Sequence, residues 1–212
     1  MINISRGAYL KLLNGFLVTD GNSITAESRE SDGSQNPLTY PAQLLQLPSI
    51  SPLNLTLRNT AVGGQSTDAM ISRAATFVDP YYVPGKSVLV AWEFTNQLFN
   101  NSSATSAYNK FAQYCQARKN VGWKIVVVTA LSRNRKPGWG SITEYNVQLE
   151  IANQLLRDNW RQFADQIVDV RQIPQLEPVQ SAYMPDGTHP NALGHSFFVK
   201  ALAPTLLRIP RN

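Results

Sequence analysis

Cysteine and histidine are scarce in this chain of 212 residues. Cys115 is the only cysteine, so the chain can form no internal disulfide and no metal site made of clustered thiolates. Its surroundings have a helical pattern, which favours a buried structural thiol. The only two histidines, His189 and His195, do not favour a histidine-rich metal site. We therefore expect no metal and no other cofactor.

Long apolar runs and concentrated charge are also missing. No segment reaches the roughly 18 apolar residues of a membrane span. The apolar N-terminal part lacks the small-residue cleavage site of a signal peptide, so we expect it to hold the first strand of a soluble protein. The sequence indicates neither the compartment nor the oligomeric state. The formal net charge is only +5, and Arg133, Arg135 and Lys136 form the single tight basic cluster. This charge pattern does not favour a nucleic acid as partner.

Hydrophobic residues make up 43% of the sequence and charged residues 16%, a balance typical of a globular protein. The length favours one domain over residues 1–212. Short apolar runs alternate with helical patterns. The predicted strands cover 12–18, 53–62, 87–94, 123–131 and 166–173, and the predicted helices cover 39–47, 66–77, 103–120, 141–160 and 192–207. This order predicts right-handed crossovers and an α/β fold with five parallel strands between two layers of helices.

Polar residues follow every predicted strand, at the edge of the sheet where such folds carry their working loops. In chain order these residues are Asp20 to Ser23, Gly63 to Ser66, Thr95 to Gln97, Ser132 to Arg135, and finally Asp186 and His189. We expect them to lie close together.

This set is sufficient for acyl transfer to a serine. The hydroxyl of Ser23 needs a base to remove its proton, and the imidazole of His189 titrates in the right range. Asp186 would accept the other imidazole N–H and hold the ring in the required tautomer. The backbone N–H groups of Ser23 and Gly64 and the side-chain amide of Asn96 are candidate donors to the oxyanion.

At these residues the sequence resembles the SGNH hydrolases, also called the GDSL esterase/lipase family. The four sequence blocks of that family are matched, in the family's order, by Gly21 to Thr25, by Gly64, by Phe94 to Gln97 and by Asp186 to His189. The resemblance implies a flavodoxin-like α/β/α sandwich that hydrolyses an ester without a metal. It also implies that the nucleophile is Ser23.

Three residues depart from the family's pattern. Asn22 stands where relatives usually have aspartate. Asparagine keeps the shape of the aspartate side chain and loses its charge. Phe94 replaces the glycine of the third block and puts a ring beside Asn96, where we expect it to reshape the substrate cleft. Gln97 replaces the final aspartate of that block and removes an expected anion.

Each of these residues also has a plain structural interpretation. Ser23 could be a loop hydroxyl, Asn96 a helix cap, and the glycine pair at 63 and 64 a tight turn in which the choice of Gly64 depends on block spacing. Asp186 could belong to a simple turn, while His195 is expected to be structural. The ordered combination favours catalysis over these separate interpretations.

Taken together, the sequence predicts a metal-independent serine esterase. The expected substrate is a small molecule or carbohydrate ester, and the predicted activity is that of a carbohydrate O-acetyl esterase or small-acyl esterase. A lipase or thioesterase of the same family, or a non-catalytic carbohydrate-binding module that keeps the fold, are the alternatives. Arg133 and Trp139 are candidates for lining the substrate cleft, although a tryptophan in a Gly/Pro-rich loop can equally anchor that loop.

Overall fold

The computed structural model describes residues 15–29, 32, 35–135 and 137–209. Its strands are β1 (Phe16–Gly21), β2 (Ser28–Arg29), β3 (Gln35–Asn36), β4 (Thr56–Asn59), β5 (Val88–Trp92), β6 (Lys124–Val128) and β7 (Gln166–Val168). Its α-helices are α1 (Ser23–Ala26), α2 (Tyr40–Leu45), α3 (Thr67–Phe77), α4 (Thr95–Phe99), α5 (Ala104–Val121), α6 (Ile142–Asn159) and α7 (Ala192–Leu207).

Five of the strands form one parallel sheet in the order β4-β1-β5-β6-β7, and β2 and β3 form a separate antiparallel pair. Counted along the five sheet strands, this order is 2-1-3-4-5, the flavodoxin-like arrangement. The predicted α/β fold with a five-stranded parallel sheet is therefore confirmed. Residues 12–14 of the first predicted strand lie outside the described residues.

Alternate residues of the strands point to opposite faces of the sheet, as a strand period of two requires. One hydrophobic core joins Leu17, Val90 and Val126 to helices α2 and α7. The other joins Val18 and Leu89 to helices α3, α5 and α6. Because both faces are covered by helices, the central strands are apolar on both sides, which is why their sequences lack alternation.

Local sequence signals end and begin the long helices where they were expected. Gly122 closes α5 with a left-handed φ of 110°, a conformation that glycine adopts without steric cost. Ser141 and Glu144 form the predicted capping box at the start of α6. Cys115 is buried in α5, as expected for a structural thiol, and burial raises the pKa of its thiol well above the ordinary value.

The strand order reverses between β1 and β5, which are neighbours in the sheet. The chain leaves these two strands toward opposite sides, so a crevice opens beyond their carboxyl ends. Helix α1 begins with Ser23 directly after β1, and α4 begins with Thr95 shortly after β5. The fold thus brings two of the predicted blocks to this crevice.

No helix in the described ranges is both long enough and apolar enough to span a membrane.

Candidate active site

The turn that presents Ser23 is built from close backbone packing. Gly21 ends β1 beside Trp92, and a Cβ atom at this position would collide with the Trp92 carbonyl group. Asn22 then caps helix α1, because its Oδ1 accepts a hydrogen bond from the N–H of Ile24 at 2.9 Å. Ser23 is therefore the first residue of a short helix, with a partly exposed side chain.

Ser23, His189 and Asp186 form a continuous chain of hydrogen bonds. The Nε2 atom of His189 lies 2.8 Å from Ser23 Oγ, and its Nδ1 atom lies 2.5 Å from Asp186 Oδ2. The other carboxylate oxygen of Asp186 accepts the backbone N–H groups of Thr188 at 2.9 Å and His189 at 2.7 Å. An acceptor at Nδ1 keeps the imidazole proton on that atom, which leaves Nε2 able to take the serine proton.

The Asp186 carboxyl is held in its ionised form. Partial burial acts to raise its pKa, but the N–H donors of His189, from both its backbone and its ring, more than offset this effect. The resulting pKa lies below the ordinary value for aspartate. A negative charge at this position would stabilise the imidazolium that forms when His189 accepts a proton.

Ser23 and His189 open into a cleft of about 370 Å³. Its other lining residues are Glu27, Gly63, Gly64, Thr95, Asn96, Phe99, Arg133, Arg135 and Thr188. The cleft thus holds all the candidate oxyanion donors and one of the two predicted substrate-lining residues. Glu27 lies beside the imidazole, with its Oε1 3.9 Å from His189 Nε2.

The glycine pair reaches the cleft because the chain after β4 continues alongside β1. The N–H of Val62 donates to the Gly21 carbonyl oxygen at 3.2 Å, which puts the next two residues beside the Ser23 turn. Only Gly64 of the pair has a left-handed φ, at 77°. Because a side chain is strained in that conformation, the backbone shape requires glycine at 64 more than at 63.

Asn96 lies beside the glycine loop, in the first part of α4. Its side-chain Nδ2 donates to the Gln65 carbonyl oxygen at 3.0 Å. A primary amide has two N–H donors, and this bond uses one of them. The same bond ties the Asn96 segment to the glycine loop, so two of the candidate oxyanion donors are held in one hydrogen-bonded unit.

Trp139 does not line this cleft, contrary to one of the two interpretations of its loop. Its indole N–H donates to the carbonyl oxygens of Leu98 and Phe99, at 2.9 and 3.1 Å, and its ring lies against Tyr145. These contacts anchor the loop to α4. The ring borders a second cleft of about 470 Å³ between Asn101 and Gln148.

The expected reshaping of the cleft by Phe94 is not seen. Phe94 is fully buried and packs against Phe111 beneath the sheet, so its ring does not line the cleft. Gln97 donates to Asp68 and Ser102 at 3.1 and 2.8 Å and thereby joins α4 to α3. The ring of Phe94 therefore serves core packing, and the amide of Gln97 docks α4 against α3.

Glu93 is a site residue that the sequence reasoning missed. Its carboxylate is fully buried, and Oε1 accepts the backbone N–H groups of Asn96 at 2.8 Å and Gln97 at 2.9 Å. Oε2 accepts a short hydrogen bond from Nδ2 of Asn22. Glu93 therefore links the cap of the Ser23 helix to the segment that carries Asn96. It also places a carboxyl group beside the uncharged asparagine at position 22.

The one sequence signal for this role was a charged residue at the end of an apolar strand. Burial raises the pKa of Glu93 to about 7, although the N–H donors of Gln97, Asn22 and Asn96 act to lower it. The folded protein thus holds a proton between the ordinary value of 4.5 and about 7 that the unfolded chain has released. Its free energy of unfolding should therefore fall across this window as pH rises.

We expect Glu93→Gln to lower kcat for an ester substrate by about 10- to 100-fold, because it misplaces the Ser23 turn. If the new amide oxygen keeps the two backbone donors, its NH₂ group faces the NH₂ group of Asn22. Adding Asn22→Asp should restore most of the activity, since a carboxylate at 22 can accept from the new amide and still cap Ile24. The measurements are the activity and denaturant unfolding of both single variants and the double variant.

Two results would count against this account of Glu93. One is a double variant no more active than Glu93→Gln. The other is an unfolding free energy whose decline between about pH 4.5 and 7 is as steep in Glu93→Gln as in the wild type, because the variant has no carboxyl to titrate there.

His195 and Asp20 have structural surroundings. His195 is buried, its Nε2 lies 3.2 Å from the Glu27 carbonyl oxygen, and burial lowers its pKa to about 4. Asp20 accepts the Tyr114 hydroxyl at 2.7 Å and forms an ion pair with Arg73 at 3.2 Å. In the part of the chain that the structure describes, no three His, Cys, Asp or Glu side chains are grouped as metal ligands would be.

Comparison with known proteins identifies relatives by structure and not by sequence. No family model and no curated protein matches the chain. A lipolytic protein of the G-D-S-L family from Veillonella parvula superposes with a TM-score of 0.73 at 12% identity, over 91% of this chain and 98% of its own. A GDSL-like lipase from Parabacteroides merdae gives 0.69 at 14%, over 92% and 97%. An acetyl xylan esterase gives 0.63 at 14%, over 88% and 98%.

These similarities extend over nearly the whole length of both chains in each pair. Together with the strand order, they confirm the predicted resemblance at the level of the fold. This chain has the fold of the SGNH, or GDSL, hydrolases.

Proposed function

We propose that this protein is a metal-independent serine esterase of the SGNH type, with Ser23 as nucleophile, His189 as base and Asp186 as the residue that orients the base. The observation that carries the proposal is the unbroken hydrogen-bonded chain from Asp186 through His189 to Ser23, at 2.5 and 2.8 Å. It opens into a cleft at the point where the strand order reverses, which is where α/β folds of this kind bind their ligands.

In the first half of the reaction, Ser23 Oγ attacks the carbonyl carbon of the ester while His189 Nε2 takes the serine proton. The carbonyl oxygen gains the negative charge, and the N–H groups of Ser23, Gly64 and Asn96 would donate to it. His189 then gives the proton to the departing alcohol oxygen as the ester C–O bond breaks. The acyl group stays on Ser23.

In the second half, water takes the place of the alcohol. His189 removes a proton from the water as its oxygen attacks the acyl-serine, and returns that proton to Ser23 Oγ when the acid leaves. Throughout the cycle, Asp186 stays ionised and stabilises the imidazolium. The low pKa of its carboxyl supports this role.

The preferred substrates in this proposal are carbohydrate O-acetyl esters or other esters of small acyl groups. The cleft has a volume of about 370 Å³, and Phe99 is the one Phe, Tyr or Trp among the polar, charged and glycine residues that line it. Such a wall suits a small acyl group and a polar alcohol better than a long lipid chain. Two of the structural neighbours are acetyl esterases acting on xylan or acetylated xylooligosaccharides.

A fluorophosphonate probe tests the nucleophile directly. We expect the wild type to take up one probe on Ser23 and to hydrolyse p-nitrophenyl acetate, because only an activated serine reacts with such probes. Ser23→Ala should take up none, as measured by intact-mass and peptide mass spectrometry. Ser196→Ala, on the surface of α7, is the matched control and should be labelled like the wild type. A folded wild type that neither reacts with the probe nor hydrolyses the ester would refute the proposal.

A further inference from the structure

The wall of the cleft contains a buried guanidinium. Arg133 has only 4% of its surface exposed, yet it lines the same cleft as Ser23 and His189. Its Cζ atom lies 4.5 Å from the ring centroid of Phe99 and 5.4 Å from that of Tyr145. The two rings hold the apolar part of the side chain and the planar cation in place.

The main chain of Arg133 is also fixed. Its N–H donates to Asn146 Oδ1 at 3.2 Å, and Asn146 Nδ2 donates back to its carbonyl oxygen at 2.9 Å. These bonds attach the loop after β6 to helix α6. The guanidinium is therefore presented by a rigid support, as a ligand-binding group needs to be.

No partner of opposite charge holds this cation within the described part of the chain. Its Nε and Nη1 atoms are buried and have no hydrogen-bond acceptor there. The other buried arginine of that part, Arg118, has Asp79 3.0 Å from its Nε. A buried cation without an ion pair is costly, so the absence of an ion-paired carboxylate at Arg133 points to a negatively charged partner that arrives with the ligand.

Neighbouring groups in the described part of the chain form no ion pair with this cation. The oxygens of Glu93 are bound by Asn22, Asn96 and Gln97, and Arg133 influences this carboxyl only through space. The hydroxyl of Tyr145 forms a hydrogen bond with the guanidinium and donates to the Thr95 carbonyl oxygen at 3.0 Å, but it is neutral. The acidic residue of the cleft wall, Glu27, lies beside His189.

We propose that Arg133 binds a carboxylate group carried by the ester substrate, so that this protein hydrolyses acidic esters in preference to neutral ones. The proposal depends on the esterase activity proposed above and specifies its substrate class. A planar guanidinium matches the geometry of a carboxylate and forms charge-assisted hydrogen bonds with it. The carboxylate could belong to the acyl part, as in a dicarboxylic half-ester, or to the alcohol part, as in an acetylated uronic acid.

Two pairs of substrates separate these sources. The acyl pair is the 4-nitrophenyl half-ester of adipic acid and its methyl ester, and the alcohol pair is acetylated glucuronic acid and its methyl ester. Within each pair, the compounds differ in one charge. We expect the acidic member of one pair to have a kcat/KM at least about 10-fold higher, the scale of a charge-assisted hydrogen bond in a buried site.

Arg133→Gln and Arg133→Met should both reduce this preference to about 3-fold or less. Arg133→Lys should keep part of it, because lysine keeps the positive charge but lacks the planar guanidinium that binds both carboxylate oxygens. Arg161→Gln, an exposed arginine beyond the end of α6, is the matched control and should keep the full preference. Arg135→Gln tests the exposed arginine of the same cleft. Its contribution should be small and should disappear at high salt.

The outcomes distinguish this inference from the proposed function. Equal kcat/KM values within both pairs for the wild type, or a preference that survives Arg133→Gln, would overturn the role of Arg133 and leave the esterase standing. A folded wild type that hydrolyses none of the four esters would overturn the esterase itself. If thermal melts show that the Arg133 variants do not fold, the salt dependence of the wild-type preference is the test. A preference that persists at high salt supports the buried Arg133, whereas a preference abolished by high salt belongs to exposed charge and overturns the inference.

Discussion

Ser23→Ala and His189→Ala should each lower kcat by about 10⁴- to 10⁶-fold, and the double variant should lose little more than either single one. The reason is that the two side chains act as one unit. A serine hydroxyl without a base is a weak nucleophile, and a base without its serine has no proton to take. The 2.8 Å separation of Ser23 Oγ and His189 Nε2 makes this coupling the expected behaviour.

Steady-state hydrolysis of p-nitrophenyl acetate by the four proteins measures the coupling. His195→Ala is not a suitable control, because that ring is buried. Ser196→Ala is suitable and should retain the wild-type kcat. Additive losses in the double variant would mean that the two residues act independently, which is incompatible with the proposed mechanism.

Asp186→Asn should lower kcat by about 10⁴-fold with little change in the fold. One oxygen of Asp186 accepts two backbone N–H groups, from Thr188 and His189. The amide oxygen of the variant should keep these bonds, so that its NH₂ group faces Nδ1 of the imidazole. The ring must then carry its proton on Nε2, toward Ser23, where it cannot act as a base.

The control for this variant is Asp158→Asn, an exposed aspartate on α6 that should leave kcat within about 2-fold of the wild type. A tautomer shift in the variant is visible in the imidazole nitrogen resonances by NMR. An Asp186→Asn protein with near wild-type kcat would show that His189 does not depend on this carboxylate. If Asp186→Asn loses both its activity and its folded signal, Asp186→Glu is the variant to measure. It keeps the negative charge and should recover part of the rate.

The sequence by itself determined the α/β fold and the order of its elements. Its signals are local. Apolar runs without alternation mark strands buried on both faces, the Ser141–Glu144 pair marks the start of α6, and Gly122 marks the end of α5. The strand-end positions of Ser23, Asn96 and His189 follow from the same order, because parallel strands place their carboxyl ends at one edge. Strand lengths were overestimated, since 166–173 holds only three residues of β7 before a 3₁₀ turn.

The tertiary structure alone decided which residues surround this set. The bond between Asn22 and Glu93 joins residues 71 positions apart, so neither segment by itself shows that these two side chains meet. The same holds for Arg133, which is buried by rings from α4 and α6, and for Trp139, whose indole turns away from the cleft to cap carbonyl groups of α4. Such contacts depend on how whole elements pack against one another. A local pattern specifies the element and its chemistry, whereas the partner of each side chain is set only when the layers of the sandwich come together.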